Sequence, residues 1–157
     1  VLIAPSYGMG NWQTTETGKD VSAALAAAQK LANIDLNNVH VIGLSNGGIG
    51  ASQLLMDRST RFASYTFLSP VFDSQLSNSA SSLTVVKGRP VFVLTGNDDD
   101  RVPLSYVKQA TKQIKTAGAE VKFESVEQAN HFLRFTHRES VLNSLEAWLW
   151  KNGAVQP

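Results

Sequence analysis

Cysteine is absent from the 157 residues, which excludes disulfides, zinc thiolates, iron–sulfur clusters and a thiol nucleophile. Charge is scarce, with 17% Asp, Glu, Lys and Arg against a usual fraction of about 25%. The 14 basic and 13 acidic side chains nearly cancel, so there is no electrostatic case for nucleic acid or an anionic membrane as partner. No apolar run approaches the roughly 20 residues that span a bilayer. A signal-peptide pattern and an initiator methionine are both missing; the chain opens on Val1-Leu2-Ile3-Ala4, which suggests that something has been removed. What is present is apolar content of 43%, enough for one globular domain over 1–157 with a substantial core. Low charge without cysteine leans toward an exported protein, although small cytoplasmic proteins share that composition.

Short apolar runs alternate with longer stretches of helical period, the pattern of an α/β domain with a mainly parallel sheet. Strands are expected at Val1–Ala4, Val39–Ile42, Tyr65–Leu68, Val91–Thr95 and Val121–Val126, the last near a sheet edge because its apolar residues alternate. A helix capped by Asp20 runs through Val21, Ala24, Leu25, Ala28, Leu31 and Ala32. A second starts just after Ser45 and reaches about Met56. A third carries Leu104, Val107, Thr111 and Ile114 and stops at Gly118. The last opens with a capping box at Thr136 and Glu139, shows an apolar face of Val141, Leu142, Leu145 and Leu149, and ends at Gly153. The one polar low-complexity stretch, Ser77–Ser82, lies in a long connection of the kind that is functional or flexible.

Chemistry concentrates at three strand ends. Val39–Ile42 runs into Gly43-Leu44-Ser45-Asn46-Gly47-Gly48 and then a helix, which is Gly-x-Ser-x-Gly in its required strand–turn–helix setting. A sharp turn there projects Ser45 above the sheet, and the small residues Gly43 and Gly47 let strand and helix pass closely. The Asn46 N–H, at the helix start, can point at a developing oxyanion. A dinucleotide-binding turn would need glycine where Ser45 stands, and Gly8-Met9-Gly10 lacks the third glycine. Serine needs a base and an orienting carboxylate. Asp98, Asp99 and Asp100 follow the strand Val91–Thr95, where open α/β sheets place working residues. His131 precedes the last helix. His40, inside a strand, reads as a packed core histidine, and His137 as an exposed one.

These residues resemble the α/β-hydrolase family, and the chain looks like the C-terminal two-thirds of that fold. In the family the acid often sits in Gly-x-x-Asp-x-x-Val-Pro, which Gly96 to Val102-Pro103 matches with Asp99 as the acid. The histidine often precedes an aromatic residue, as His131 precedes Phe132. Asp100 is the rival acid; Asp73, after Pro70-Val71-Phe72, is a more distant one, since some members place the acid after the earlier strand. The resemblance implies a three-layer α/β-hydrolase-like sandwich with a mainly parallel sheet of about five strands, incomplete at its N-terminus.

Val1–Pro5 with Tyr7-Gly8-Met9-Gly10 resembles the family's fourth strand and its loop, so the third strand and the loop supplying a second oxyanion N–H would be absent. The backbone of Ser6–Asn11 is the candidate replacement. Loss of one oxyanion donor costs about 10²–10³ in rate, so such a chain would be a weak enzyme. The implied activity is that of a serine hydrolase acting on a small-molecule or polymeric ester, thioester or amide, with no cofactor and no metal. An acyltransferase with the same triad, or a binding protein that has lost activity, are the alternatives.

Overall fold

The computed structural model describes residues 1–5, 12, 17–59, 62–78 and 83–153. Four strands, β1 (His40–Leu44), β2 (Ser64–Leu68), β3 (Pro90–Gly96) and β4 (Glu120–Val126), form one sheet in the order β1-β2-β3-β4. Each pair is parallel, with Leu44 opposite Leu68, Leu68 opposite Leu94, and Leu94 opposite Glu124. Helices α1 (Thr17–Gln29), α2 (Gly47–Met56), α3 (Ser74–Asn78), α4 (Leu104–Thr116), α5 (Leu133–Thr136) and α6 (Arg138–Lys151) complete the described elements, with two short 3-10 turns.

The sequential strand order dictates where the helices go. Parallel crossovers are right-handed, so a sheet that grows steadily in one direction sends successive connections to the same face. Accordingly Leu54 and Leu55 of α2, Leu76 of α3, and Val107, Ala110 and Ile114 of α4 share one core with Tyr65, Phe67, Val91 and Val93. The alternate strand residues, Leu68, Phe92 and Leu94, face the other way and meet Leu133, Val141 and Trp148. Two apolar layers with the sheet between them make the three-layer sandwich. At the C-terminal end of α2, buried Arg89 donates to the carbonyls of Leu54, Leu55 and Asp57 and to Tyr65 Oη, satisfying acceptors that the helix itself leaves open.

Several local expectations need correction. Val1–Ala4 is not a strand, and Val1 and Leu2 are almost fully exposed. The run is four residues long before Pro5, which has no N–H to donate, and among the described residues it pairs with no strand. The described sheet therefore has four strands, not five. Asp20 lies inside the first turn of α1 rather than capping it. The Thr136–Glu139 capping box does not form: Thr136 ends α5, α6 starts at Arg138, and no side chain caps it. An extra turn after Phe132 has displaced the helix start. Leu142 points to solvent while Val141 and Trp148 are buried. β4 is an edge strand as its alternation predicts, and the positive φ of Gly118 and Gly153 marks the two helix stops. The Ser77–Ser82 stretch lies largely outside the described residues.

His40 is half-buried and held at both ring nitrogens. Asn38 Nδ2 donates to the Gly153 carbonyl at 2.6 Å, which turns Asn38 Oδ1 toward His40 Nε2 at 2.9 Å. Nε2 therefore carries the proton, and Nδ1 accepts from Ser64 Oγ at 2.8 Å. Burial lowers the His40 pKa below the ordinary histidine value, because desolvation disfavours the charged ring. The unfolded chain then takes up this proton first as pH falls. The stabilisation is complete above the unfolded value and is lost as pH falls through the lowered folded value. Thermal unfolding followed between about pH 7.5 and 5 is expected to show a steeper fall in Tm for the parent chain than for His40→Gln; equal slopes would contradict it.

Candidate active site

Ser45 sits directly after β1 with φ 50, a left-handed backbone conformation rare for a residue with a side chain. Three hydrogen bonds hold it there. Its N–H donates to Leu68 O at 2.9 Å, and its carbonyl accepts from Gly48 N at 2.9 Å and Val71 N at 3.0 Å. The cost of such a backbone is about 1–3 kcal/mol, sustained only where the surroundings over-determine it.

Close approach at this turn rests on Gly43 and Gly48. A Cβ on Gly43 would lie 2.7 Å from Ala51 Cβ and from the Gly47 carbonyl oxygen; one on Gly48 would lie 2.6 Å from Val71 O and 2.9 Å from Pro70 Cβ. Gly47, singled out by the motif, has nothing within 4 Å of such an atom. Gly48→Ala is therefore expected to destabilise by about 1–3 kcal/mol through overpacking, while Gly47→Ala leaves Tm near its parent value. Calorimetry on the two variants checks the order, and a larger loss at Gly47 would refute it.

The other two side chains arrive from β3 and β4. Gly96, the last residue of β3, lets the loop ahead of His131 lie against the strand end: an added Cβ would clash with the Ala129 carbonyl, 2.6 Å from its carbon. Across this contact Asn97 N donates to Val126 O at 2.9 Å and Asp98 N to Ala129 O at 3.0 Å. Asp99 is buried, and its Oδ1 accepts from the N–H groups of Arg101 (3.0 Å) and Val102 (2.8 Å). Its Oδ2 lies 2.8 Å from His131 Nδ1. His131 is also buried, and its Nε2 lies 2.9 Å from Ser45 Oγ. The three side chains thus form one continuous line of hydrogen bonds, running from buried Asp99 to half-buried Ser45.

Asn46 occupies the N-cap of α2, and its backbone N–H has no acceptor among the described residues. The alternative acids stand elsewhere. Asp73 accepts from Gln53 Nε2 and Gln75 N, and Asp100 is exposed with no contact to His131. His40 and His137 are likewise not joined to this line. Ser6–Asn11, the candidate second donor, lies outside the described residues. Sequence reasoning missed the packing roles of Gly48 and Gly96. The only signal for each was a glycine at the end of a motif, doubled at Gly47-Gly48 and opening Gly-x-x-Asp at Gly96.

A parallel sheet sandwiched by helices, with a serine at a strand–helix elbow, defines the α/β-hydrolase fold. Residues 11–149 match the family model for phospholipase/carboxylesterase, and the chain belongs to that family. Among solved structures it is similar to SOBER1 of Arabidopsis thaliana, at 20% identity and a TM-score of 0.65 for the L63A variant, covering 96% of this chain and 70% of that one. It is also similar to a thermostable esterase, at 22% identity and a TM-score of 0.60, covering 85% and 36%. The acylaminoacyl peptidase of Pyrococcus horikoshii gives 15% identity and a TM-score of 0.72, covering 88% and 28%. No curated protein sequence matches significantly. Among the described residues, no helix is long and apolar enough to cross a membrane.

Proposed function

We propose that this chain is a serine hydrolase that cleaves a carboxylic ester, thioester or amide through an acyl-enzyme. The observation that carries this reading is the unbroken line from Ser45 Oγ through His131 to buried Asp99, at 2.9 and 2.8 Å, in a chain of the phospholipase/carboxylesterase family. His131 Nε2 takes the Ser45 proton as Oγ attacks the acyl carbonyl, and Asp99 fixes the ring so that its other nitrogen keeps a proton. The oxyanion accepts from the Asn46 N–H, which has no acceptor among the described residues. His131 then protonates the leaving group. A water, deprotonated by the same nitrogen, releases the acid and restores Ser45. The fold relatives named as an esterase and an acylaminoacyl peptidase make both oxygen and nitrogen leaving groups reasonable to assay.

A fluorophosphonate probe tests the reading directly, because it phosphonylates only an activated serine. The expected outcome is labelling that maps to the Ser45 peptide, disappears in Ser45→Ala, and is suppressed by a short-chain p-nitrophenyl ester. A folded parent protein that does not label, or a Ser45→Ala variant that labels equally, would overturn it.

A further inference from the structure

The loops carrying Asp99 and His131 are joined by the hydrogen bonds already described and by one contact outside that line. Arg101 is exposed, yet its guanidinium carbon stands 4.8 Å from the centroid of the Phe132 ring. That ring in turn meets the His131 imidazole edge-on, with centroids 5.8 Å apart and planes at 82°. Asp98 and Asp100 flank the same turn and are exposed, but among the described residues neither pairs with this guanidinium. Among the described residues, the guanidinium is set over the aromatic face of Phe132, a cation–π geometry.

Hydrogen bonds at both imidazole nitrogens fix the ring along one axis and leave it free to roll about that axis. A neighbour packed against the ring stops the roll. Phe132 is one such neighbour of the buried His131, and at 40% exposed it is the one least locked by core packing. Arg101 covers part of its open face. We propose that Arg101 is a positioning residue, a latch from the acid loop that pins Phe132 against His131 and holds the imidazole in line between Ser45 and Asp99. The inference rests on the hydrolase reading above, and it adds a residue that acts through Phe132 without touching substrate.

The test is a mutant cycle of Arg101→Gln, Phe132→Leu and the double variant, with Arg101→Lys as the conservative replacement. Two readouts are followed: kcat and KM for a neutral p-nitrophenyl ester, and the downfield proton resonance of His131 Nδ1–H. Arg101→Gln should lower kcat about two- to five-fold, the factor an exposed cation–π contact carries, with KM little changed. The double variant should be no worse than Phe132→Leu alone, and Arg101→Lys should recover most of the loss. The His131 resonance should broaden in Arg101→Gln and sharpen again in Arg101→Lys. Multiplicative losses, a change carried by KM, or an unaltered resonance would each overturn the latch. If the parent chain shows no Ser45-dependent turnover, the hydrolase reading fails, and the resonance alone decides the latch: broadening reversed by lysine supports it, and an unchanged line overturns it.

Discussion

Replacing Asp99 by asparagine is expected to lower kcat/KM by about 10⁴, the loss found when a triad acid becomes an amide. The geometry supplies the reason. Oδ1 of Asp99 accepts two backbone N–H groups, from Arg101 and Val102, so the amide of an asparagine must place its oxygen there and its NH₂ toward His131. That NH₂ would donate to Nδ1, which then has no proton of its own. The ring proton moves to Nε2, which can no longer accept from Ser45 Oγ. Because the backbone contacts survive, Tm should change little while turnover collapses. Asp100→Asn and Asp73→Asn, whose side chains do not reach His131, serve as controls with activity close to parental. Equal losses at Asp99 and Asp100 would remove Asp99 from its assigned role.

The second large effect is expected at Gly96, which touches no substrate. Gly96→Ala places a methyl group against the Ala129 carbonyl, and a peptide group cannot swing aside as a flexible side chain can. We expect destabilisation of about 3 kcal/mol, the upper part of the range for overpacking. Activity should fall further than stability alone explains, since the displaced backbone leads directly to His131. The check is residual activity measured at a temperature where circular dichroism shows the variant still folded. Full specific activity in that folded fraction would sink the argument.

Much of this site is legible in the sequence because its parts depend on local rules. Gly43–Gly48 can be read as an elbow because Gly-x-Ser-x-Gly falls between a strand and a helix, the setting that this turn requires. Asp99 and His131 are readable because each follows a strand, and parallel strands deliver their C-terminal ends to one edge of the sheet. The errors have the opposite character, for each depended on contacts distant in sequence. Val1–Ala4 has the composition of a strand but no described partner. The Thr136 capping box was lost because α5, packed through Leu133 against Phe92 and Leu94, uses up the residues that would have formed it. Whether Gly47 or Gly48 needed to be bare depended on Pro70 and Val71, over twenty positions away. The acidic turn alone could not separate Asp99 from Asp100, and it was the family spacing that did so.

The backbone links at the strand ends carry a further consequence. Ser45 leans on Leu68, Ser69 donates to Leu94, and Asp98 donates to Ala129, so each strand steadies the one before it and the last bears the histidine. β4 is the outermost described strand on that side, and none of its residues is fully buried. Strands of that kind open first when a protein breathes below its melting point. Opening of β4 would carry His131 away from Ser45 while β1, β2 and most of their core remained intact. Loss of the proposed activity on warming would then precede loss of the fold, a reversible switching-off by partial opening of a single edge.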